Sequence, residues 1–188
     1  MFAYCLNNPL LLVDSSGTRP VIGLTVSGET KKERKQSFEF MRYLQQRKNE
    51  LIRFAAIVYA EAGETNRKTK AAAAHSIKNR IVLNHWTAPS TIMEAISYPD
   101  QYNGYGIESY NNAVMYFTTG RINVNCLEIA AMRESMSVVI PIYDNIEPDF
   151  TGGIMYFHSF TNASDWQYHN YYQQVIIPGT EIFWWYKE

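Results

Sequence analysis

The chain has 188 residues, 46% of them hydrophobic and 19% charged, with a formal net charge of −1. This composition excludes wholesale disorder, because so much apolar surface can form a buried core. The length predicts one domain with at most a short extra segment, and the near-zero charge offers no overall field for nucleic acid. No apolar run approaches the roughly 20 residues of a membrane span, so we expect no membrane insertion.

Charge and aromatic content narrow the choice of partners. Residues 1–80 hold 14 Lys and Arg against 7 Asp and Glu, whereas residues 81–188 hold 3 against 11. The basic half is densest from Lys31 to Lys48, which favours a solvated helix face over a site for an anionic polymer.

Aromatic residues make up 14% of the chain. Such rings suit a surface that binds sugar, although for any single ring a core position is the better prediction. Cys5 and Cys126 match no metal-site spacing and cannot form a disulfide framework, so they carry little information. No cofactor is expected.

The first 30 residues differ from the rest, because turn signals crowd around short apolar runs. Tyr4–Leu10 (YCLNNPL) followed by Val13–Gly17 (VDSSG) resembles the C-terminal end of the Rhs/YD-repeat core. In such proteins a large shell carries a variable C-terminal domain, often a toxin. The resemblance implies a cargo domain, with an Rhs shell and an immunity protein as candidate partners. The alternative is a turn-rich tail that matches by coincidence.

Helical periodicity dominates the middle of the chain. A helix is predicted from about Ser37 to Ala62, with Gly63 as its stop in a left-handed conformation. Its apolar stripe consists of Leu51, Phe54, Ala55, Val58, Tyr59 and Ala62. Four further helices are predicted over residues 66–83, from the capping pair Thr91 and Glu94 to Ile96, over 111–119, and over 126–139 with Pro141 ending the last.

The pattern then changes to β-structure. Residues 153–159 are predicted to form a strand, and residues 175–177 and 182–184 flank a turn at Pro178–Glu181, which is typical of a hairpin. The sequence therefore predicts an α+β fold that is mainly helical, with a small late β-hairpin or sheet.

Glu61 is the most informative position for chemistry. It follows the apolar stretch Ile57–Ala60 at the end of the predicted helix, where its carboxyl is expected to be partly desolvated. Desolvation penalises the ionised form and raises the pKa, as a general acid near neutral pH requires. Residue type and position alone favour the alternative, a helix-end glutamate that hydrogen-bonds the next loop.

An ordered set of short motifs resembles the SleB-type cell wall hydrolase family, which includes spore-cortex-lytic enzymes. The motifs are Val58–Gly63 (VYAEAG), Asn79-Arg80, Gln101-Tyr102, Thr151–His158 (TGGIMYFH), Trp166 and Ile182-Phe183. The resemblance covers roughly residues 51–186 and implies a lysozyme-like domain of the goose-lysozyme or transglycosylase type acting on peptidoglycan glycan strands. The chain thus divides into an Rhs-core-like junction (1–30), a basic helical linker or first helix (31–50) and a cell wall hydrolase catalytic domain (51–188).

The resemblance assigns the role of catalytic acid to Glu61. It does not identify a second catalytic carboxylate. The family often has another glutamate four residues later, but that position is Thr65 here, with Glu64 one residue earlier. A hydrolase acting through two carboxylates needs a partner about 5–9.5 Å away, with Glu64, Asp100 and Asp165 as candidates. In a lytic transglycosylase the muramyl C6 hydroxyl attacks instead, so one glutamate suffices. We therefore favour lytic transglycosylation over hydrolysis.

Several residues are predicted to bind the glycan. Gly152 and Gly153 allow a close backbone approach, and strand alternation puts Tyr156 and His158 on one face, although a core Tyr156 and an edge His158 remain alternatives. The predicted substrate-binding residues are Glu64, Gln101, Tyr102, Gly152, Tyr156, His158 and Trp166. Asn79 and Arg80 lie within a predicted helix and are assigned structural roles.

Two other functions remain open. A zinc-dependent amidase-type or other toxin would use His75, His85, His158 and His169, although no pair has helical i, i+4 spacing. A non-catalytic glycan-binding module is suggested by the ring content. Because the first residues lack the features of a signal peptide, action at the cell wall, extracellular or periplasmic, implies delivery by a larger protein or a dedicated system.

Overall fold

The computed structural model describes residues 31–83, 87–99, 101–159, 172–180 and 182–187. The chain divides into two compact units, Met1–Leu44 and Gln45–Glu188, and the junction segment predicted over 1–30 lies outside the described residues. The elements are α1 (Lys31–Ala62), α2 (Arg67–Val82), α3 (Ile92–Ser97), α4 (Glu108–Thr119), α5 (Cys126–Tyr143), β1 (Tyr156–Ser159), β2 (Tyr172–Ile176) and β3 (Ile182–Lys187). The expectation of a mainly helical chain is confirmed.

The second half of α1 is buried on most of its circumference, and not along a single stripe as predicted. Ile52, Ala56 and Ile57 lie outside the predicted stripe but are buried as well. One core cluster joins this half of α1 to apolar residues of α2, α3, α4 and α5. A polar side chain near the end of such a helix is therefore held at the margin of the core.

Gly63 follows α1 for a different reason from the one predicted. Its φ is not positive, so the left-handed stop does not form. A Cβ at this position would instead lie 2.5 Å from the backbone oxygen of Tyr59 and 2.8 Å from its ring. Close packing against the last turn of α1, and not backbone conformation, requires glycine here.

The predicted end of the last helix is wrong, because α5 continues through Pro141 to Tyr143. Proline removes one N–H and crowds the preceding turn, but only two helical residues follow it. The last carbonyls of the helix have a partner from another element, because Lys78 Nζ of α2 donates to the carbonyl oxygens of Ile142 and Tyr143. The Tyr143 hydroxyl also donates to Glu50 Oε2 at 2.6 Å.

The three strands form an antiparallel sheet in the order β1-β3-β2, and the predicted hairpin is confirmed as β2 and β3. In its turn, the Thr180 N–H donates to the Ile177 oxygen at 3.1 Å, and Gly179 has a φ of 80°. β1 begins at Tyr156, three residues later than predicted. Gly152 and Gly153 have φ values of 74° and 87°, which are incompatible with an extended strand.

α1 begins at Lys31, six residues before the predicted start, and the remaining boundaries lie closer to the predictions. α2 has the predicted limits, with Asn66 as N-cap and Leu83 as C-cap, and Thr91 caps α3 as expected. α4 begins at Glu108, three residues before the predicted start. Among the described helices, none combines the length and apolarity that crossing a membrane would need.

Candidate active site

Glu61 lies one residue before the end of α1 and is half-buried. Its Oε1 accepts a hydrogen bond from the Gly104 N–H at 2.6 Å, and no described residue donates to Oε2. Burial raises the pKa of the Glu61 carboxyl, and the Gly104 N–H and the positive charge of Arg80 oppose this effect without cancelling it. The site therefore holds a carboxyl with one anchored oxygen and an increased tendency to stay protonated.

Gly104 is the close neighbour that fixes this carboxyl. A Cβ at Gly104 would lie 2.7 Å from Glu61 Oε1 and 2.9 Å from the Cβ of Ala60. The loop backbone can therefore approach the carboxyl closely enough to donate its N–H only because residue 104 lacks a side chain.

Arg80 projects from α2 and is 4% exposed. Its Nη1 donates to Gln101 Oε1 at 2.6 Å, and its Nε donates to the Met155 oxygen at 2.8 Å. The guanidinium carbon lies 4.7 Å from the ring centroid of Tyr102 and 4.8 Å from that of Tyr156. Arg80 thus lies between two aromatic rings and connects the loop after α3 to the start of β1.

Tyr102 is 7% exposed, and its hydroxyl has no hydrogen-bond partner among the described residues. Burial raises the pKa of this phenol, and the charges of Glu61 and Tyr156 add to that rise while Arg80 opposes it. The hydroxyl therefore stays protonated in the physiological range.

Asn79, the residue before Arg80, forms hydrogen bonds to a second loop, which precedes β1. Its Nδ2 donates to Asp149 Oδ2 at 2.9 Å and to the Ile154 oxygen at 3.0 Å. Asp149 also accepts from the Thr151 N–H, the Thr151 hydroxyl and the Gly153 N–H. Burial raises the pKa of Asp149, but these hydrogen bonds outweigh it and hold the pKa below its usual range. The loop before β1 is thereby tied to α2.

His75 of α2 lies next to Asp149 and Phe150 of this loop and is 3% exposed. Its Nδ1 is 3.7 Å from Asp149 Oδ1, its ring meets Phe150 edge-on, and its Nε2 has no partner among the described residues. Burial lowers the pKa of His75, with Asp149 and Glu147 opposing that shift and Lys78 adding to it. Within the described ranges, no three His, Cys, Asp or Glu side chains come together as a metal site, and His85 and His169 lie outside those ranges.

The structure brings some of the predicted site residues together. Gln101, Tyr102 and Tyr156 meet at Arg80, near Glu61, but Tyr102 and Tyr156 are largely buried at 7% and 9% exposure. Glu64 is exposed in the turn after α1.

Gly152 and His158 lie in the segment that leads into β1 and in β1 itself. Apart from Gly152 and its chain neighbours, no heavy atom of the described residues lies within 4 Å of the position that a Cβ would take at Gly152, and His158 pairs with Phe183 in the register of β1 and β3. Trp166, Asp100 and Asp165 lie outside the described residues.

Sequence reasoning gave Arg80 only a structural role and missed Gly104 and Asp149. The Asn103-Gly104 dipeptide marks a turn, and Asp149 two residues before Thr151 is typical of an Asx-turn. Neither signal shows that Gly104 reaches a carboxyl 43 residues earlier in the chain. Comparisons of the chain with protein-family models, curated proteins and solved structures find no match.

Proposed function

We propose that this chain is a peptidoglycan-cleaving enzyme, a lytic transglycosylase that cuts the MurNAc–GlcNAc bond with Glu61 as general acid and then general base. The observation that carries the proposal is the Glu61 carboxyl, which is half-buried, held through Oε1 and left open at Oε2 within the described residues. A carboxyl whose pKa is raised can protonate a leaving glycosidic oxygen near neutral pH.

The reaction needs one carboxyl and two proton transfers. Glu61 donates its proton to the glycosidic oxygen as the bond to the anomeric carbon breaks, which leaves Glu61 as a carboxylate. The C6 hydroxyl of the same muramyl residue then attacks that carbon, and Glu61 takes the hydroxyl proton. The products are a 1,6-anhydromuramyl end and a free hydroxyl on the leaving sugar, and Glu61 returns to its protonated form.

The proposal includes a lysozyme-like fold of the goose-lysozyme type, with which a mainly helical chain and a small sheet are compatible. In it, Glu64, Gln101, Tyr102, Gly152, Tyr156, His158 and Trp166 contribute to glycan binding. The enzyme would act at the cell wall as a toxin domain delivered by an Rhs-type protein, with an immunity protein in the producing cell.

The test combines one variant with product analysis. Glu61→Gln keeps the side-chain shape and an oxygen for the Gly104 N–H, but it cannot supply the proton. Activity on purified peptidoglycan should fall by about 10²–10⁴-fold, while the circular dichroism spectrum stays that of the folded protein. Glu108→Gln, an exposed glutamate in the first turn of α4, is the matched control and should retain activity.

Mass analysis of wild-type digests decides the chemistry. Anhydromuramyl ends, one water lighter than reducing ends, are expected. If only hydrated ends form, transglycosylation is wrong, and Glu64, Asp100 and Asp165 become the candidates for a second carboxylate. Full activity of Glu61→Gln would reject the assignment of the acid.

Two other outcomes would identify the alternatives. Loss of lytic activity on chelation would favour a zinc-dependent amidase-type toxin. Glycan binding without lysis, unchanged in Glu61→Gln, would favour a non-catalytic glycan-binding module.

A further inference from the structure

We propose that Arg80 is a positioning residue for the Glu61 carboxyl: it fixes the loop that binds Glu61 and keeps a positive charge beside it. This inference rests on the proposed function, in which Glu61 is the acid, and it adds a second residue to the proton-transfer step.

The first step is a continuous path of contacts from Arg80 to Glu61. Arg80 holds the start of loop 101–104 twice, through the hydrogen bond to Gln101 and through the face of the Tyr102 ring. The end of the same loop donates the Gly104 N–H to Glu61. At most two residues stand between these attachments, so displacement of the guanidinium would move the donor that anchors the carboxyl.

The second step concerns the charge of Arg80. Arg80 is 4% exposed, and the acceptors and rings that contact its guanidinium among the described residues are neutral: an amide, a carbonyl and two phenol rings. In the described part of the chain, no carboxylate lies within ion-pair distance of it. A buried charge is costly unless an opposite charge compensates it. Among the described residues, the field of Arg80 lowers the pKa of the Glu61 carboxyl and that of the Tyr102 phenol.

This arrangement favours the transition state over the ground state. Before the reaction the protonated Glu61 is neutral and gains little from the cation. As the proton leaves for the glycosidic oxygen, negative charge develops on Glu61, and Arg80 stabilises that charge. Fixed charges of this kind, aimed at the place where charge develops, accelerate a step without reorganisation.

The groups that face Glu61 come from different elements. Arg80 projects from α2, and Tyr102 and the Gly104 N–H lie in the loop after α3. Tyr156 of β1 lies on Arg80. Arg80 and Gly104 favour the carboxylate against the effect of burial, so each should have its own influence on the pH at which Glu61 titrates.

The contact with Arg80 also orients Gln101. Guanidinium groups only donate hydrogen bonds, so the oxygen of the Gln101 amide must face Arg80. The NH₂ group of Gln101 is then left as a donor, which suits carbonyl or hydroxyl oxygens of an N-acetylated sugar. An arginine is needed because lysine lacks the planar fork that serves Gln101 and Met155 together.

The experiment compares Arg80→Gln, Arg80→Lys and wild type, with Arg53→Gln as the matched control. Arg53 is a half-buried arginine on α1 that donates to the Tyr110 hydroxyl at 3.3 Å. Two quantities are measured: the titration midpoint of the Glu61 carboxyl by ¹³C NMR, with the signal assigned through Glu61→Gln, and the pH dependence of anhydromuropeptide release.

In Arg80→Gln, the Glu61 midpoint should move to higher pH, and the alkaline limb of the activity profile should move with it. The maximal rate should fall by about 10²-fold, as expected when a reacting group is misplaced by about 1 Å. Arg80→Lys keeps the charge, so its midpoint should stay near that of wild type and part of the rate should return. Arg53→Gln should change neither quantity.

An unchanged Glu61 midpoint in folded Arg80→Gln would overturn the inference. If Arg80→Gln does not fold, Arg80→Lys decides: a fully wild-type rate there would overturn the positioning role, whatever its pH profile. The NMR titration needs no substrate. A shifted midpoint in a protein whose wild type cuts no glycan would therefore support the positioning role while rejecting the proposed function.

Discussion

At the scale of the single residue, burial of Glu61 links reactivity to stability. The pKa of this carboxyl is raised on folding, so the native state binds more protons than the unfolded chain above the ordinary glutamate range. Stability therefore falls as pH rises from the unfolded pKa towards the folded one. Below the unfolded pKa both states are protonated, and Glu61 contributes no pH dependence.

Replacing this carboxyl should stabilise the protein at neutral pH. Glu61→Gln removes the ionisable group but keeps an acceptor for Gly104, so its free energy of unfolding should exceed that of wild type at pH 7. The difference should shrink towards zero below about pH 4, where Glu61 is protonated in both states. Urea unfolding of wild type, Glu61→Gln and Glu108→Gln at several pH values measures this difference. A Glu61→Gln protein that is less stable than wild type at pH 7 would contradict it.

The special environment of Glu61 could be predicted from sequence because it is local. Four apolar residues precede it, and a small residue and a glycine follow, so partial desolvation follows from the position. The importance of Arg80 could not be predicted in this way. Its acceptors lie 21 and 75 residues further along the chain, and nothing in the helical pattern around it indicates where they are.

At the scale of elements, the site depends on how closely loop 101–104 approaches the end of α1. Gly104→Ala would put a Cβ within 2.7 Å of Glu61 Oε1 and 2.9 Å of the Ala60 Cβ, so the loop or the carboxyl must move. We expect a loss of about 1–3 kcal/mol in the free energy of unfolding from overpacking. Activity should fall by about 10²-fold from misplacement of Glu61.

Asn103→Ala is the matched control, since Asn103 is the exposed neighbour in the same loop. It should leave both activity and thermal unfolding close to wild type. Because the Gly104 N–H lowers the pKa of Glu61, weakening that bond in Gly104→Ala should also move the alkaline limb of activity to higher pH. Wild-type kinetics in Gly104→Ala would show that the close approach is not needed.

Elements whose sequence signals are local are predicted well from the sequence. Where α5 and β1 differ from the prediction, the structure shows a contact with a residue distant in the chain. Asn66 and Thr91 accept from backbone N–H groups within their own first turn, so both helix starts are readable in sequence. α5 continues two residues past Pro141, and Lys78, 64 residues before Ile142, donates to the Ile142 carbonyl at this end of the helix. β1 starts late because the loop before it is held by Asn79, whose contact with Asp149 spans 70 residues.

At the scale of the whole molecule, α2 connects the parts of the second unit. It packs against α3, α5 and β1. Two consecutive residues near its end reach in different directions: Asn79 to the loop before β1, and Arg80 to the loop that holds Glu61. The adjacent pair Asn79-Arg80 therefore places the sheet and the candidate acid relative to the same helix.

This connection can be tested at Asp149, because its carboxylate accepts hydrogen bonds from Asn79, Thr151 and Gly153. Its pKa is held below the ordinary value, so it contributes stability above its unfolded pKa, and this stability is lost as pH falls through the folded pKa. Asp149→Asn turns one acceptor atom into a donor facing other donors, and should lower the free energy of unfolding by about 1–3 kcal/mol at pH 7. The deficit relative to wild type should shrink in urea titrations below pH 4, where wild-type Asp149 takes up its proton.

Asp144→Asn, which breaks a partly exposed ion pair with Arg47, is the control and should cost no more than about 1 kcal/mol. An Asp149→Asn protein as stable as that control at pH 7 would show that the link between α2 and β1 does not depend on this anion.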